Sequence, residues 1–105
     1  MKIIEELRRL VGDENEDHFD QDLIIFVNGA MANLGQIGNV KAKVIDTSTE
    51  WEEILPEECH IGFIQEYLRL SVNVRFDPPT NSSLLDAMNK RIAELESRIN
   101  YDTDI

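Results

Sequence analysis

The sequence predicts an all-α fold, a small bundle of about four to five helices with one short extended or hairpin segment near residues 40–46. Three observations predict it. Apolar residues recur at helical spacing in four separate stretches. Gly12, Gly35, Gly38 and the Pro78-Pro79 pair fall between those stretches, where helices stop. Only one run, Val40-Lys41-Ala42-Lys43-Val44, alternates in the manner of a strand.

Ile3, Ile4, Leu7, Leu10 and Val11 share one helical face and Gly12 follows as a left-handed stop, which predicts a short amphipathic helix over about 2–11. Residues 13–18 are polar and acidic and suit a loop. Asp17 or a near neighbour is placed to cap the next helix, and Asp20 and Asp22 complement the positive end of its dipole. Phe19, Leu23, Phe26, Val27, Ala30, Met31 and Leu34 carry that helix as a single stripe over four turns. Gly29 within it points to close helix packing, and Gly35 and Gly38 are expected to end it.

The alternating run suggests an extended piece, with an irregular loop as the alternative. Thr49-Glu50-Trp51-Glu52 reads as a capping box, Thr49 the cap and Glu52 reaching back, opening a short turn that ends near Leu55-Pro56. Pro56, Glu57 and Glu58 suit the first turn of a further helix. Ile61, Phe63, Ile64, Tyr67, Leu68, Leu70, Val72 and Val74 leave that helix little polar surface, as expected of a buried central element. Its β-branched end, Ser71 to Phe76, could instead be extended, and Asp77-Pro78-Pro79 stops any helix.

Asn81-Ser82-Ser83 offers three caps for the last helix. Its seam of Leu85, Met88, Ile92, Leu95 and Ile99 has heptad spacing, and Lys90–Glu94 and Glu94–Arg98 fall at i,i+4 on the polar side. The seam can pack on this chain or on a neighbouring subunit. A chain of 105 residues needs its stripes internally, which favours the first. The organisation is one helical domain over 1–100 and a polar tail, 101–105, whose Tyr101 and Ile105 are two candidate anchors for a partner groove.

Chemistry-bearing patterns are sparse. His18, Cys59 and His60 are the soft metal-ligand candidates, without CxxC or HxxxH spacing. Adjacent Cys59 and His60 would diverge by about 100° on a helix, so adjacency makes no catalytic dyad. The acidic pairs Asp20/Asp22 and Glu52/Glu53 lie where helix starts place them anyway. No glycine-rich phosphate loop is present. The expectation is a non-enzyme that needs no cofactor. Trp51, the single tryptophan, is a candidate interface anchor, with burial in the core as the favoured reading.

Ten basic residues stand against 21 acidic ones, a net charge of −11. Such a chain lacks the basic footprint that displaces counterions from phosphates, and an anionic membrane repels it. The acidity reads either as solubility or as a surface that passes or mimics DNA. No apolar run approaches a bilayer span and the start of the chain lacks signal-peptide character, so a cytosolic product, or a particle component assembled in a cytosol, is expected.

The segments Thr49-Glu50-Trp51-Glu52-Glu53-Ile54-Leu55-Pro56, Gln65-Glu66-Tyr67-Leu68-Arg69-Leu70, Val74-Arg75-Phe76-Asp77-Pro78-Pro79 and Leu84-Leu85-Asp86-Ala87-Met88 occur in this order. They run into Ile92-Ala93-Glu94-Leu95-Glu96-Ser97-Arg98-Ile99-Asn100. Over roughly residues 40–102 this resembles the small head–tail connector, or head-completion adaptor, proteins of siphophages. The Phe-Asp-Pro-Pro element before a Leu-rich final helix is the most telling part. The resemblance implies a structural subunit of a homo-oligomeric ring, of twelve subunits in the family's virions, at the head–tail junction and assembled in the bacterial cytoplasm. That ring would dock below the portal, extend a channel through which DNA passes without sequence-specific binding, and seat the next connector or tail protein. It adds Arg75 and Phe76, within its diagnostic element, to the candidate interface of Trp51, Tyr101 and Ile105. The competing reading is an acidic regulatory or DNA-mimic binding protein that forms no ring.

Overall fold

The computed structural model describes residues 1–37, 43–54 and 61–103, with Ile61 and residues 101–103 as backbone only. Five helices are seen among them: α1 (Ile3–Leu10), α2 (Asp20–Ile37), α3 (Trp51–Ile54), α4 (Ile61–Phe76) and α5 (Ser82–Thr103). The described residues form no strand. The fold is the all-α bundle that the periodicities predict.

At eight residues α1 is too short to persist alone, so burial of Ile3, Ile4 and Leu7 must hold it. Glu5 and Glu6 in its first turn and Arg8 and Arg9 in its last complement the dipole. Gly12 ends it at φ 78°, a left-handed conformation that a side chain would strain, and the N–H of Asp13 returns to the carbonyl of Arg8 at 2.8 Å. The expected stop of α2 at Gly35 does not occur, and the helix runs to Ile37. A helical glycine costs only about 1 kcal/mol, and Leu34 and Ile37 pack against the core on either side of it.

Residues 38–42, which include Gly38 and most of the alternating run, lie outside the described residues. Lys43 to Asp46 are irregular. There Ile45 is tied to the side chain of Asn28 on α2. Its N–H donates to Oδ1 at 2.7 Å and its carbonyl accepts from Nδ2 at 3.0 Å. Next, Asp46 folds a tight turn. Its carboxylate accepts from the N–H of Ser48 at 2.8 Å, and its own N–H donates to Oγ1 of Thr49 at 2.9 Å.

The capping box of α3 sits one residue later than its predicted frame. The Glu53 carboxylate accepts the N–H of Glu50 at 2.7 Å, while Thr49 faces back into the preceding turn and Glu52 approaches the Met1 amino group at 3.8 Å. Tertiary pairing sets this frame. The N–H of Ile3 donates to the Thr49 carbonyl at 3.0 Å and that of Trp51 to the Met1 carbonyl at 3.2 Å, an isolated antiparallel bridge between Lys2 and Glu50. The predicted helix start at Pro56 falls outside the described residues.

Helix α4 stays helical through Phe76, so its β-branched end is not extended. It is the central element, in contact with α1, α2 and α5. Ile64, Tyr67, Leu68 and Val72 meet Leu23, Val27, Met31 and Leu34 of α2 in one core cluster with Ile3, Ile4 and Leu7 of α1. Asn81 caps α5, accepting the N–H of Leu84 at 3.1 Å. Of the α5 seam, Leu95 and Ile99 are fully buried, so the intrachain reading holds for its second half. The molecule is a slab of about 40 × 35 × 18 Å, two helix layers thick.

Candidate assembly interface

The five candidate interface residues separate into three groups. Trp51 is only 3% exposed and packs in the core, its indole Nε1–H buried without a partner among the described residues. Arg75 and Phe76 form the last turn of α4. Phe76 is half-buried and meets Phe19, at the start of α2, edge to face at 5.0 Å. Arg75 is exposed and lays its guanidinium across Gly29, where a methyl group would lie 2.5 Å from Nη1. This is the close approach that Gly29 permits. Arg75 has no carboxylate partner among the described residues. The side chains of Tyr101 and Ile105 lie outside the described residues, while the backbone of α5 continues to Thr103.

Most other basic groups are engaged. Arg8 of α1 forms a two-pronged ion pair with Asp20 in the first turn of α2, with Nε to Oδ1 at 2.8 Å. The hydrogen bond from Arg8 holds the Asp20 carboxyl below its ordinary pKa against the opposing effect of burial. Arg91 of α5 grips Glu66 of α4 the same way, at 2.7 and 2.8 Å, and this pairing likewise lowers the Glu66 pKa. The predicted Lys90–Glu94 pair does not form, because Glu94 accepts from Arg98 at 3.0 Å and meets Arg91 at 3.1 Å. Arg98 also lies over the Phe63 ring at 5.7 Å. In the loop before α2, the buried Asp13 carboxylate accepts the N–H of His18 and meets Nδ1, both at 3.1 Å, which raises the His18 pKa. Burial raises the hydroxyl pKa of Tyr67.

Among the described residues, no cluster of three His, Cys, Asp or Glu side chains could hold a metal ion. What the surface offers is contact chemistry. Ile25 is 63% exposed, Val44 79% and Leu84 53%, each on a different element. A groove of about 380 Å³ runs along α4, lined by Leu10, Gly62, Gln65, Arg69 and Asn73. The exposed Ile25 and the groove were not legible in the sequence. A single outward isoleucine leaves no periodic trace, and the groove residues read as the polar remainder of an apolar helix.

No helix among the described residues is long and apolar enough to cross a membrane. No curated protein and no solved structure matches the chain. A protein-family model described as phage connector protein matches residues 3–105, nearly the whole chain and including the two N-terminal helices.

Proposed function

This chain belongs to the phage connector protein family, a family of structural virion components, and from that premise we propose that it is a subunit of a head–tail connector ring. The ring docks below the portal at the capsid vertex, extends the DNA channel and provides the platform on which the tail attaches. Its partners are the portal protein, neighbouring connector or tail proteins, and copies of itself. The match over residues 3–105 is the observation that carries this reading.

Two physical features support it. A net charge of −11 gives passing DNA few counter-charges to pair with, so a wall built from this chain lets the duplex slide. Arg75, without a carboxylate partner among the described residues, and the neighbouring Phe76 form a charged and aromatic contact point of the kind that anchors protein interfaces. Tyr101 and Ile105 serve as anchors for a docking partner, while Trp51, buried in the core, supports the fold and not the contact surface.

The test removes residues 101–105 and follows two readouts. Less than one turn of backbone is lost from α5, and the buried Leu95 and Ile99 remain. The truncated protein keeps near-normal thermal stability, while phage carrying it accumulate DNA-filled heads that do not join tails. Phage that lack the whole chain and still complete particles at the normal rate refute the connector role. Normal completion with the truncated chain refutes the docking role of the tail alone.

A further inference from the structure

We propose that the outer ridge of α2 in one copy of this chain seats in the groove over α4 of the next copy, a head-to-tail contact. The inference rests on the reading that copies of the chain assemble side by side, and it names the two faces that meet.

The faces lie back to back. On α4, Ile64, Leu68 and Val72 point into the core, and Gly62, Arg69 and Asn73 lie roughly 140–180° around the helix from Ile64. On α2, Leu23, Val27 and Leu34 point into the core, and Ile25 and Ala32 lie roughly 160–200° from Leu23. Because α2 packs directly on α4, the groove and the ridge occupy opposite broad faces of an 18 Å slab. Two different faces in contact make a heterologous interface, which propagates from copy to copy and closes into a ring when the rotation permits.

Shape and charge both fit. The outer face of α2 carries the exposed Ile25, and Ala32 lines a shallow depression with the exposed Val44 of the neighbouring segment. The groove spans Gly62 to Asn73, about 16 Å at 1.5 Å per residue, and no atom of the described residues approaches within 4 Å of a side chain built at Gly62. A helix presenting small residues can therefore approach closely.

In the groove, Glu66 is taken up by Arg91, while Arg69 is 49% exposed and Glu6, its nearest carboxylate among the described residues, stands at 3.9 Å without a hydrogen bond. One turn from Ile25, Asp22 is exposed and forms no ion pair among the described residues. Copies carrying −11 each repel at long range, so a self-contact needs local complementarity, and the Arg69–Asp22 pairing supplies it. An equally acidic partner of another kind is the rival occupant.

Disulfide trapping on the full chain tests the proposal. The protein carries Cys59→Ser, Ile25→Cys and either Gln65→Cys or Asn73→Cys, one groove position for each direction in which α2 can lie. Oxidation at high protein concentration yields a ladder of dimers, trimers and higher species with one of the two groove positions. Either cysteine alone leaves monomer. Asp22→Arg or Arg69→Asp reduces the ladder at least tenfold, and the two together restore it. Arg69→Gln weakens it without placing a carboxylate beside Glu6, and circular dichroism checks that each variant folds.

No ladder with either groove position overturns the proposal, as do dimers from a single cysteine or charge reversals that leave the yield unchanged. The contact and the particle role fail separately. Phage that complete without the chain sink the role while a ladder survives. Absence of a ladder, with tails still failing to join when the chain is deleted, sinks this contact alone.

Discussion

Replacing Asn28 with alanine removes the one side chain that substitutes for a neighbouring strand. Ile45 is 1% exposed and sits in an irregular segment, so no ladder satisfies its backbone. The Asn28 amide does so, accepting from the N–H at 2.7 Å and donating to the carbonyl at 3.0 Å. Each such bond contributes about 1 kcal/mol net, and the unsatisfied buried groups left behind add to the loss. We expect Asn28→Ala to cost about 2–3 kcal/mol. At roughly 4–8 °C per kcal/mol for a domain near this size, the midpoint falls by at least about 8 °C. Asn28→Asp keeps the acceptor but sets a carboxylate against the Ile45 carbonyl, so it is destabilised comparably. Thermal melts followed by circular dichroism give the global number, and amide exchange by NMR gives the local one. In Asn28→Ala the Ile45 amide should lose protection relative to the amides of α4. A loss below about 0.5 kcal/mol with Ile45 still protected would refute the reasoning.

Trp51→Phe removes a buried N–H that has no partner among the described residues while keeping an aromatic ring, so urea unfolding should show a cost within about 1 kcal/mol, against about 3–5 for Trp51→Ala. Gly29→Ala should be neutral or stabilising by up to about 1 kcal/mol, because only the mobile end of Arg75 must yield; a loss above about 1 kcal/mol in thermal melts would mean that the helices themselves are forced apart. Asp20 and Glu66 have folded pKa values below their unfolded ones, so their contribution is present above the unfolded values near 4 and is lost as pH falls through the folded values. Arg8→Ala should therefore flatten the acid side of the stability curve and return the Asp20 carboxyl, followed by carbon NMR, to its ordinary range.

The helices were legible in the sequence because their stripes are local. Ile3, Ile4 and Leu7, or Leu23, Val27, Ala30 and Leu34, declare their faces by spacing alone. What could not be read depends on partners distant in sequence. The cap of α3 falls at Glu50 because Met1 and Ile3 pair with Trp51 and Thr49, a contact no local pattern announces. Glu94 chooses Arg91 and Arg98 over Lys90 because α5 is rotated toward Glu66. Gly35 ends nothing because burial of Leu34 outweighs its backbone cost. In the candidate interface, Arg75 and Phe76 were named from their motif, but their neighbours Gly29 and Phe19 appear only once α2 lies across α4.

The bridge between Lys2 and Glu50 bears on how this chain folds as it leaves the ribosome. The first three residues cannot complete their hydrogen bonds until residue 51 has emerged, and the eight-residue α1 has no means of persisting until then. Its apolar face also waits for Ile64, Leu68 and Val72 of α4. The N-terminal half is therefore synthesised well before the surface that fixes it, and during that interval α2 carries its apolar stripe uncovered. Cooperative folding comes late in translation, when α4 clears the exit tunnel and closes on α1 and α2 together, with α5 to follow.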